Sequence, residues 1–202
     1  RVYLYTQYEP ADCRRVFPNF EQPDLKAVFN FRITAPRDWV VSSNGVLESE
    51  VSDPTDSNIV KRVFAPTERI STYITAVLAG EYFTVTDTYK PQSITNSGDI
   101  PLVAYCRHSL KPHFDYDNIF RVTKNGLDFF QDLFDYPYPY PKYEQAFVPE
   151  YNIGAMENPG LVTFTEDFIF VSGATEDDLE GRANTICHEM AHMWFGDLVT
   201  MK

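Results

Sequence analysis

The amino-acid sequence predicts an α+β protein in which an all-β region comes first and a mixed region with two helices follows. About the first hundred residues contain short runs in which apolar and polar residues alternate, as in half-buried antiparallel strands. Two later segments, Phe114–Phe134 and Thr175–Phe195, instead carry apolar residues at helical spacing. Because the pattern changes near His108, we expect two domains, over residues 1–106 and 107–202.

The strands of the first region are predicted from runs bounded by turn residues. Lys26–Thr34 has the apolar residues Ala27, Phe29, Phe31 and Ile33 on one face and the polar residues Asn30, Arg32 and Thr34 on the other. Trp39–Ser43 and Val46–Val51 flank an Asn-Gly pair, which is a strong hairpin signal. Further strands are predicted at Ile59–Phe64, Thr72–Leu78, Tyr82–Thr86 and Pro101–Cys106, with the polar stretch Gln92–Asp99 before the last of them. This spacing is typical of an antiparallel β-sandwich or a large curved sheet.

The mixed region begins with a helix and a connector. Asp115 or Asp117 is placed to cap the first helix. The Pro- and Tyr-rich segment Tyr136–Tyr143 follows the helix, and its prolines favour an extended path. Two further strands are predicted at Gly160–Thr165 and Phe168–Ser172.

The second helix has recognisable signals at both ends. Thr175 and Asp178 match a capping box at its start. Gly196 is placed to end it. The apolar residues between these ends indicate an internal helix.

Composition and charge exclude several classes of function. The chain has 202 residues, with Lys+Arg 17 against Asp+Glu 29 and a net charge of −12, which repels nucleic acids. No apolar run is long enough to span a bilayer. Three widely spaced cysteines and the absence of an Asn-x-Ser/Thr acceptor indicate a reducing compartment, and we predict the cytoplasm. Because the sequence opens on Arg1 and stops at Lys202 in mid-pattern, we expect a fragment of a longer protein.

The second helix contains the sequence His-Glu-Met-Ala-His at residues 188–192, which is the clearest indication of a catalytic or metal site in the chain. Residues i and i+4 share a helix face, so His188 and His192 can bind one metal ion. Neutral imidazoles suit Zn²⁺, and Glu189 can accept a proton from a water at the metal. The motif therefore predicts a zinc site for hydrolysis. Since the helix is predicted to be internal, we expect both imidazoles to point inward.

Two more motifs stand upstream, Thr6-Gln7-Tyr8-Glu9-Pro10 and Gly154-Ala155-Met156-Glu157-Asn158. Together with residues 188–197 and in this order, they resemble the gluzincin zinc aminopeptidase family of aminopeptidase N-like enzymes. The resemblance runs from end to end. It implies a partial, saddle-shaped N-terminal β-domain over residues 1–106. Residues 107–202 would be the first half of a thermolysin-like catalytic domain.

The same resemblance implies a role for each site residue. His188 and His192 would hold one zinc ion, and Glu189 would be the general base. Glu157 and Glu9 would bind the α-ammonium group of the substrate. Gly154 and Ala155 would offer backbone contacts to the substrate. Met156 would line the pocket for the substrate's first side chain. In this family the peptide bond after the position of Glu9 is cis, so we expect a cis Glu9–Pro10 bond.

One ligand of the family is missing from this sequence. The family's third zinc ligand is a glutamate about twenty residues after the second histidine, and a catalytic zinc needs three protein ligands. The sequence stops at Lys202, before that position. We therefore expect the 202-residue chain alone to be inactive. The whole protein is expected to remove N-terminal residues from peptides that have a free N-terminus.

Other functions remain open at this point. A zinc endopeptidase would use the same helix, although it has no use for a pair of carboxylates such as Glu157 and Glu9. A non-catalytic scaffold or substrate-capture domain could also retain the motif. A related subgroup that hydrolyses a lipid epoxide would favour Gly-Gly in place of Gly154-Ala155.

Overall fold

The computed structural model describes residues 2–91 and 98–202, and these residues form three β-sheets and two α-helices. The α+β class is therefore confirmed. The strands are β1 (Tyr3–Tyr5), β2 (Arg32–Pro36), β3 (Val40–Ser43), β4 (Leu47–Ser52), β5 (Ile59–Phe64), β6 (Val77–Gly80), β7 (Tyr82–Tyr89), β8 (Ile100–Arg107), β9 (Tyr143–Val148), β10 (Ala155–Met156) and β11 (Leu161–Thr165). The helices are α1 (Tyr116–Phe134) and α2 (Glu176–His192), and 3₁₀ turns lie at Cys13–Arg15, Thr72–Ile74, His108–His113 and Glu166–Phe168.

Two of the sheets are antiparallel and have three strands each. Their orders are β1-β6-β3 and β2-β5-β4. On β5, Val60, Arg62 and Phe64 are buried while the residues between them are more exposed. This is the alternation that antiparallel strands with one covered face require.

The third sheet has five strands in the order β10-β11-β9-β8-β7 and is mixed. β9 runs parallel to both of its neighbours, and α1 lies in the connection from β8 to β9, as a parallel crossover requires. Every residue of β9 is buried, so both faces of the sheet are covered there. Because β7 and β8 share this sheet with β9, the sheet extends across residue 107. A domain division at that residue stays a prediction.

The two helices pack closely and so fix the position of α2. A Cβ atom at Gly126 of α1 would lie 2.9 Å from Met190 Sδ of α2, so a larger residue there would require the Met190 side chain to shift. Near the start of both helices, the fully buried Arg182 donates to Asp115 Oδ2 at 2.8 Å. The capping box of Thr175 and Asp178 is confirmed, with both of its reciprocal hydrogen bonds present.

The prediction of a hairpin at Asn44-Gly45 is wrong. β3 pairs with β6 and β4 pairs with β5, so the chain crosses from one sheet to another between them. Neither residue has the positive φ that a type I′ turn requires. The Asn44 side chain is buried and donates to the carbonyls of Ile74 and Pro159, each at 2.9 Å. Long-range hydrogen bonds therefore determine the conformation of this pair.

Several strand predictions also need correction. Phe168–Ser172 is not a strand, because Thr165 Oγ1 accepts a hydrogen bond from the Asp167 amide and starts a 3₁₀ turn. The predicted strand Thr72–Leu78 divides into a 3₁₀ turn and β6. The sequence patterns did not predict β1 or β9. Most of the polar stretch Gln92–Asp99 lies outside the described residues.

Candidate active site

The C-terminal half of α2 places two imidazole rings side by side. The ring centroids of His188 and His192 are 4.8 Å apart, and their Nε2 atoms are 3.1 Å apart. His188 is exposed and His192 is half-buried, so the prediction that both point inward is wrong. Both rings line an open cavity, where a ligand can reach them.

The donor atoms of this pair fit a metal ion bound by imidazole. Two nitrogens bound tetrahedrally to zinc at about 2.0–2.1 Å would be about 3.3 Å apart, close to the Nε2 separation observed. His192 Nδ1 lies 3.0 Å from the Phe195 carbonyl oxygen. A proton on Nδ1 that points at this carbonyl leaves Nε2 free as a ligand.

Three carboxylates face the two rings, and two of them are buried. Ligand atoms of Glu157, Glu189 and His192 all lie within 4.8 Å of one another. Glu189 is 5% exposed, and burial, with Glu157 and Glu9 adding to it, raises its pKa to about 8. A metal cation beside His188 would lower this pKa, because it stabilises the ionised form.

Glu157 follows β10 in the chain and is also buried. The Tyr73 hydroxyl donates to its Oε1 atom at 3.3 Å. Glu9 approaches from the N-terminal segment and is exposed, and the Glu9–Pro10 peptide bond is cis, which confirms that expectation. Although Glu9 is exposed overall, partial desolvation of its carboxyl group and the Glu157 charge raise its pKa, while His192 opposes the shift.

These groups line a cavity of about 250 Å³. Its lining residues are Glu9, Tyr73, Ala155, Glu157, His188, Glu189, His192, Phe195, Gly196 and Met201. Among these lining residues there are three carboxylates and no Lys or Arg. The cavity therefore has a negative potential that attracts a cation or an ammonium group.

Most of the predicted site residues meet in this cavity, but two do not line it. The Gly154 carbonyl accepts a hydrogen bond from the Thr165 amide at 2.9 Å. Met156 is buried, and Gln7 Nε2 lies 3.5 Å from its Sδ atom. The roles predicted for Gly154 and Met156 stay predictions.

Sequence reasoning missed two residues near the cavity. Tyr73 stands in an apolar run that predicts a core strand, so no local signal marks it. Asp197 is fully buried, and neither carboxylate oxygen has a hydrogen-bond partner among the described residues. Burial and then Glu157 raise the pKa of Asp197 well above its usual value, while Lys26 opposes this shift.

Comparisons with known proteins agree along the whole chain. Two family models match it: the Peptidase M1 N-terminal domain over residues 1–74 and the Peptidase family M1 domain over residues 119–202. Aminopeptidase N of Streptomyces lividans is 52% identical over 202 residues, which cover 100% of this chain and 22% of that protein. Aminopeptidase N of Homo sapiens is 35% identical over 205 residues, which cover 100% of this chain and 20% of that protein. The chain thus spans about a fifth of the length of these relatives.

Proposed function

This chain belongs to peptidase family M1, a family of metallopeptidases, and we propose that the whole protein is a zinc-dependent aminopeptidase that removes the N-terminal residue of peptides. The observation that supports this most is the shared cavity. There, the two imidazoles of α2 face carboxylates that come from distant parts of the chain. Peptides with a free N-terminus are the substrates that such a cavity suits.

His188 and His192 hold one zinc ion in this proposal. Zinc supplies Lewis-acid chemistry, which polarises the scissile carbonyl and acidifies a water. A catalytic zinc needs a third protein ligand, which we expect from a glutamate that these 202 residues do not include. His192 is held for its role by the contact of its Nδ1 atom with the Phe195 carbonyl.

Glu189 moves the proton. It accepts a proton from the attacking water and returns it to the leaving amine, which is general acid–base catalysis. Burial raises its pKa to about 8 in the metal-free protein, and a bound cation would lower this pKa towards the operating pH, where a carboxyl group exchanges protons most effectively. Its place on α2, one residue after His188, holds the carboxylate beside the metal ligands.

Glu157 and Glu9 bind the substrate's α-ammonium. A charge-assisted contact in a partly water-free cavity is stronger than one on the surface. Because an ammonium group at this position requires a free N-terminus, the pair restricts cleavage to the first peptide bond. Gly154 and Ala155 contribute backbone contacts, and Met156 lies beside the first side chain. An endopeptidase would have no use for this pair.

The proposal is tested on the whole protein with three substrates: alanine 4-nitroanilide, its N-acetylated form and an internally quenched peptide with blocked ends. We expect hydrolysis of the first alone, loss of activity with a chelator and recovery with zinc. His188→Ala should lose zinc and activity, whereas His113→Ala, on an exposed turn, should keep both. Cleavage of the blocked peptide would indicate an endopeptidase. Absence of turnover with bound zinc would favour a scaffold.

A further inference from the structure

Tyr73 lies where the N-terminal β region meets the cavity. It belongs to the 3₁₀ turn Thr72–Ile74, is buried, and lines the cavity beside Glu157. Its hydroxyl donates to Glu157 Oε1 at 3.3 Å. No other described side chain donates a hydrogen bond to this carboxylate. The orientation of Glu157 therefore depends on a residue that is distant from it in sequence.

The buried Asn44 side chain holds these two segments at a fixed separation. Its Nδ2 atom donates to the carbonyls of Ile74 and Pro159, and its Oδ1 atom accepts from the Ala76 amide at 2.8 Å. Ile74 is adjacent to Tyr73, and Pro159 comes two residues after Glu157. One amide group thus ties the turn that carries Tyr73 to the loop that carries Glu157.

The approach of the loop to Asn44 is also sterically defined. Gly160 has φ +75°, and a Cβ atom there would lie 2.3 Å from the Asn44 carbonyl oxygen. Only glycine allows both this backbone conformation and this contact. The backbone segments that carry Tyr73 and Glu157 are therefore held next to each other by defined contacts.

We propose that Tyr73 is a positioning residue: its hydroxyl holds Oε1 of Glu157 so that the other carboxylate oxygen is directed at the substrate's α-ammonium. The inference rests on the proposed function of Glu157 as an amine anchor. Burial and the Glu157 charge both raise the pKa of Tyr73, so the phenol stays protonated and remains a donor at neutral pH. Fixing a binding group before the substrate arrives reduces the ordering that binding requires.

The test is Tyr73→Phe in the whole protein, which keeps the ring and removes the hydroxyl. Binding of leucine amide and of its des-amino analogue, 4-methylpentanamide, is measured by calorimetry on the whole protein after its metal has been removed with a chelator, so that neither ligand is hydrolysed. We expect leucine amide to bind about 5- to 10-fold more weakly and the analogue to bind as before, as for loss of one hydrogen bond. With alanine 4-nitroanilide, KM should rise by a similar factor while kcat changes little.

Two controls separate positioning from a general loss of structure. Tyr82→Phe removes the hydroxyl of another buried tyrosine, one without a hydrogen-bond partner among the described residues, and should leave both affinities unchanged. In a Glu157→Gln background, Tyr73→Phe should cause little further loss of leucine amide binding, because the two residues act as one unit. Full additivity of the two losses would overturn the inference.

The outcomes also separate this inference from the proposed function. If the wild-type protein binds leucine amide no better than 4-methylpentanamide, the amine anchor itself is wrong, and the role of Tyr73 falls with it. If the wild-type protein discriminates and Tyr73→Phe discriminates equally well, the inference about Tyr73 alone is wrong. Equal weakening of both ligands by Tyr73→Phe would likewise contradict positioning.

Discussion

Two buried carboxylates in this molecule have opposite surroundings. Glu144 on β9 lies 3.0 Å from Lys142 Nζ and accepts hydrogen bonds from Ser42 and Tyr105. Glu189 on α2 is buried to a similar extent, yet no described residue donates a hydrogen bond to it, and its nearest charges are other carboxylates. Since a buried charge is costly unless it is paired, the two groups must serve different purposes.

Under the proposed function, the difference separates a structural carboxylate, Glu144, from a chemical one, Glu189. Glu144 and Lys142 satisfy each other and hold β9 against Ser42 of β3. Under the proposed function, Glu189 would be stabilised instead by groups that arrive from outside, a metal ion and a substrate. Burial alone does not distinguish the two roles, whereas the presence or absence of a cation and donors does.

The largest effect is expected when the chemical carboxylate is changed. Glu189→Gln in the whole protein should keep zinc and lower kcat by about 10²–10⁴-fold, because an amide of similar shape cannot accept the proton. Metal analysis and steady-state kinetics measure the two properties separately. Near-normal kcat in this variant would show that Glu189 is not the base.

The next effect tests the structural carboxylate. Lys142→Met should reduce the free energy of unfolding by about 3–5 kcal/mol, because it leaves Glu144 buried without its cation. The matched variant carries Lys142→Met and Glu144→Leu together, and should recover much of this loss because no unpaired charge remains. Denaturant unfolding of both variants gives the comparison. A double variant no more stable than the single one would contradict this account of the pair.

A smaller and more selective effect is expected at Glu157. Glu157→Ala should weaken transition-state binding of substrates with a free N-terminus by about 1.5–3 kcal/mol, as for loss of a hydrogen bond to a charged group. The measurement is kcat/KM for alanine 4-nitroanilide beside that for an analogue without the amino group. An equal loss of kcat/KM with both substrates would mean that Glu157 does not bind the amino group.

The last prediction concerns pH in the metal-free protein. Folding raises the pKa of Glu189 from an ordinary value of 4.5 to about 8, so the folded state binds the proton more tightly than the unfolded state. The contribution of this group to stability is therefore complete below pH 4.5 and is lost as pH rises towards 8. Glu189→Gln should flatten the pH dependence of unfolding over this range. An unchanged profile would contradict the shifted pKa.

The two sides of the cavity also differ in how far the sequence predicts them. His188, Glu189 and His192 follow from helical periodicity alone, because all three lie within about one turn and the capping box marks where the helix begins. Glu157 and Glu9 were predicted only through resemblance to a family, since nothing local marks them. Their meeting depends on contacts between segments that are far apart in sequence.

The wrong or missed secondary-structure predictions share one cause, which is that long-range contacts override local sequence patterns. The Asn44-Gly45 pair has the composition of a hairpin turn, but hydrogen bonds to Ile74, Ala76 and Pro159 impose another conformation. β9 was missed because both of its faces are buried, so it lacks the alternation that identifies a strand. Local sequence patterns do not predict such long-range partners. Contacts of this kind determine where Glu157 and Glu9 lie in the cavity.

The parallel placement of β9 beside β8 and β11 has a consequence for the order of events during folding. The pairing of β8 with β9 joins segments on either side of α1, so it forms only after a loop that contains a whole helix has closed. Helix α2 depends on packing against α1, so its imidazoles meet Glu157 and Glu9 only when the surrounding sheet has also formed. A partly folded chain therefore lacks the assembled cavity. Under the proposed function, it would not select N-termini until folding is nearly complete.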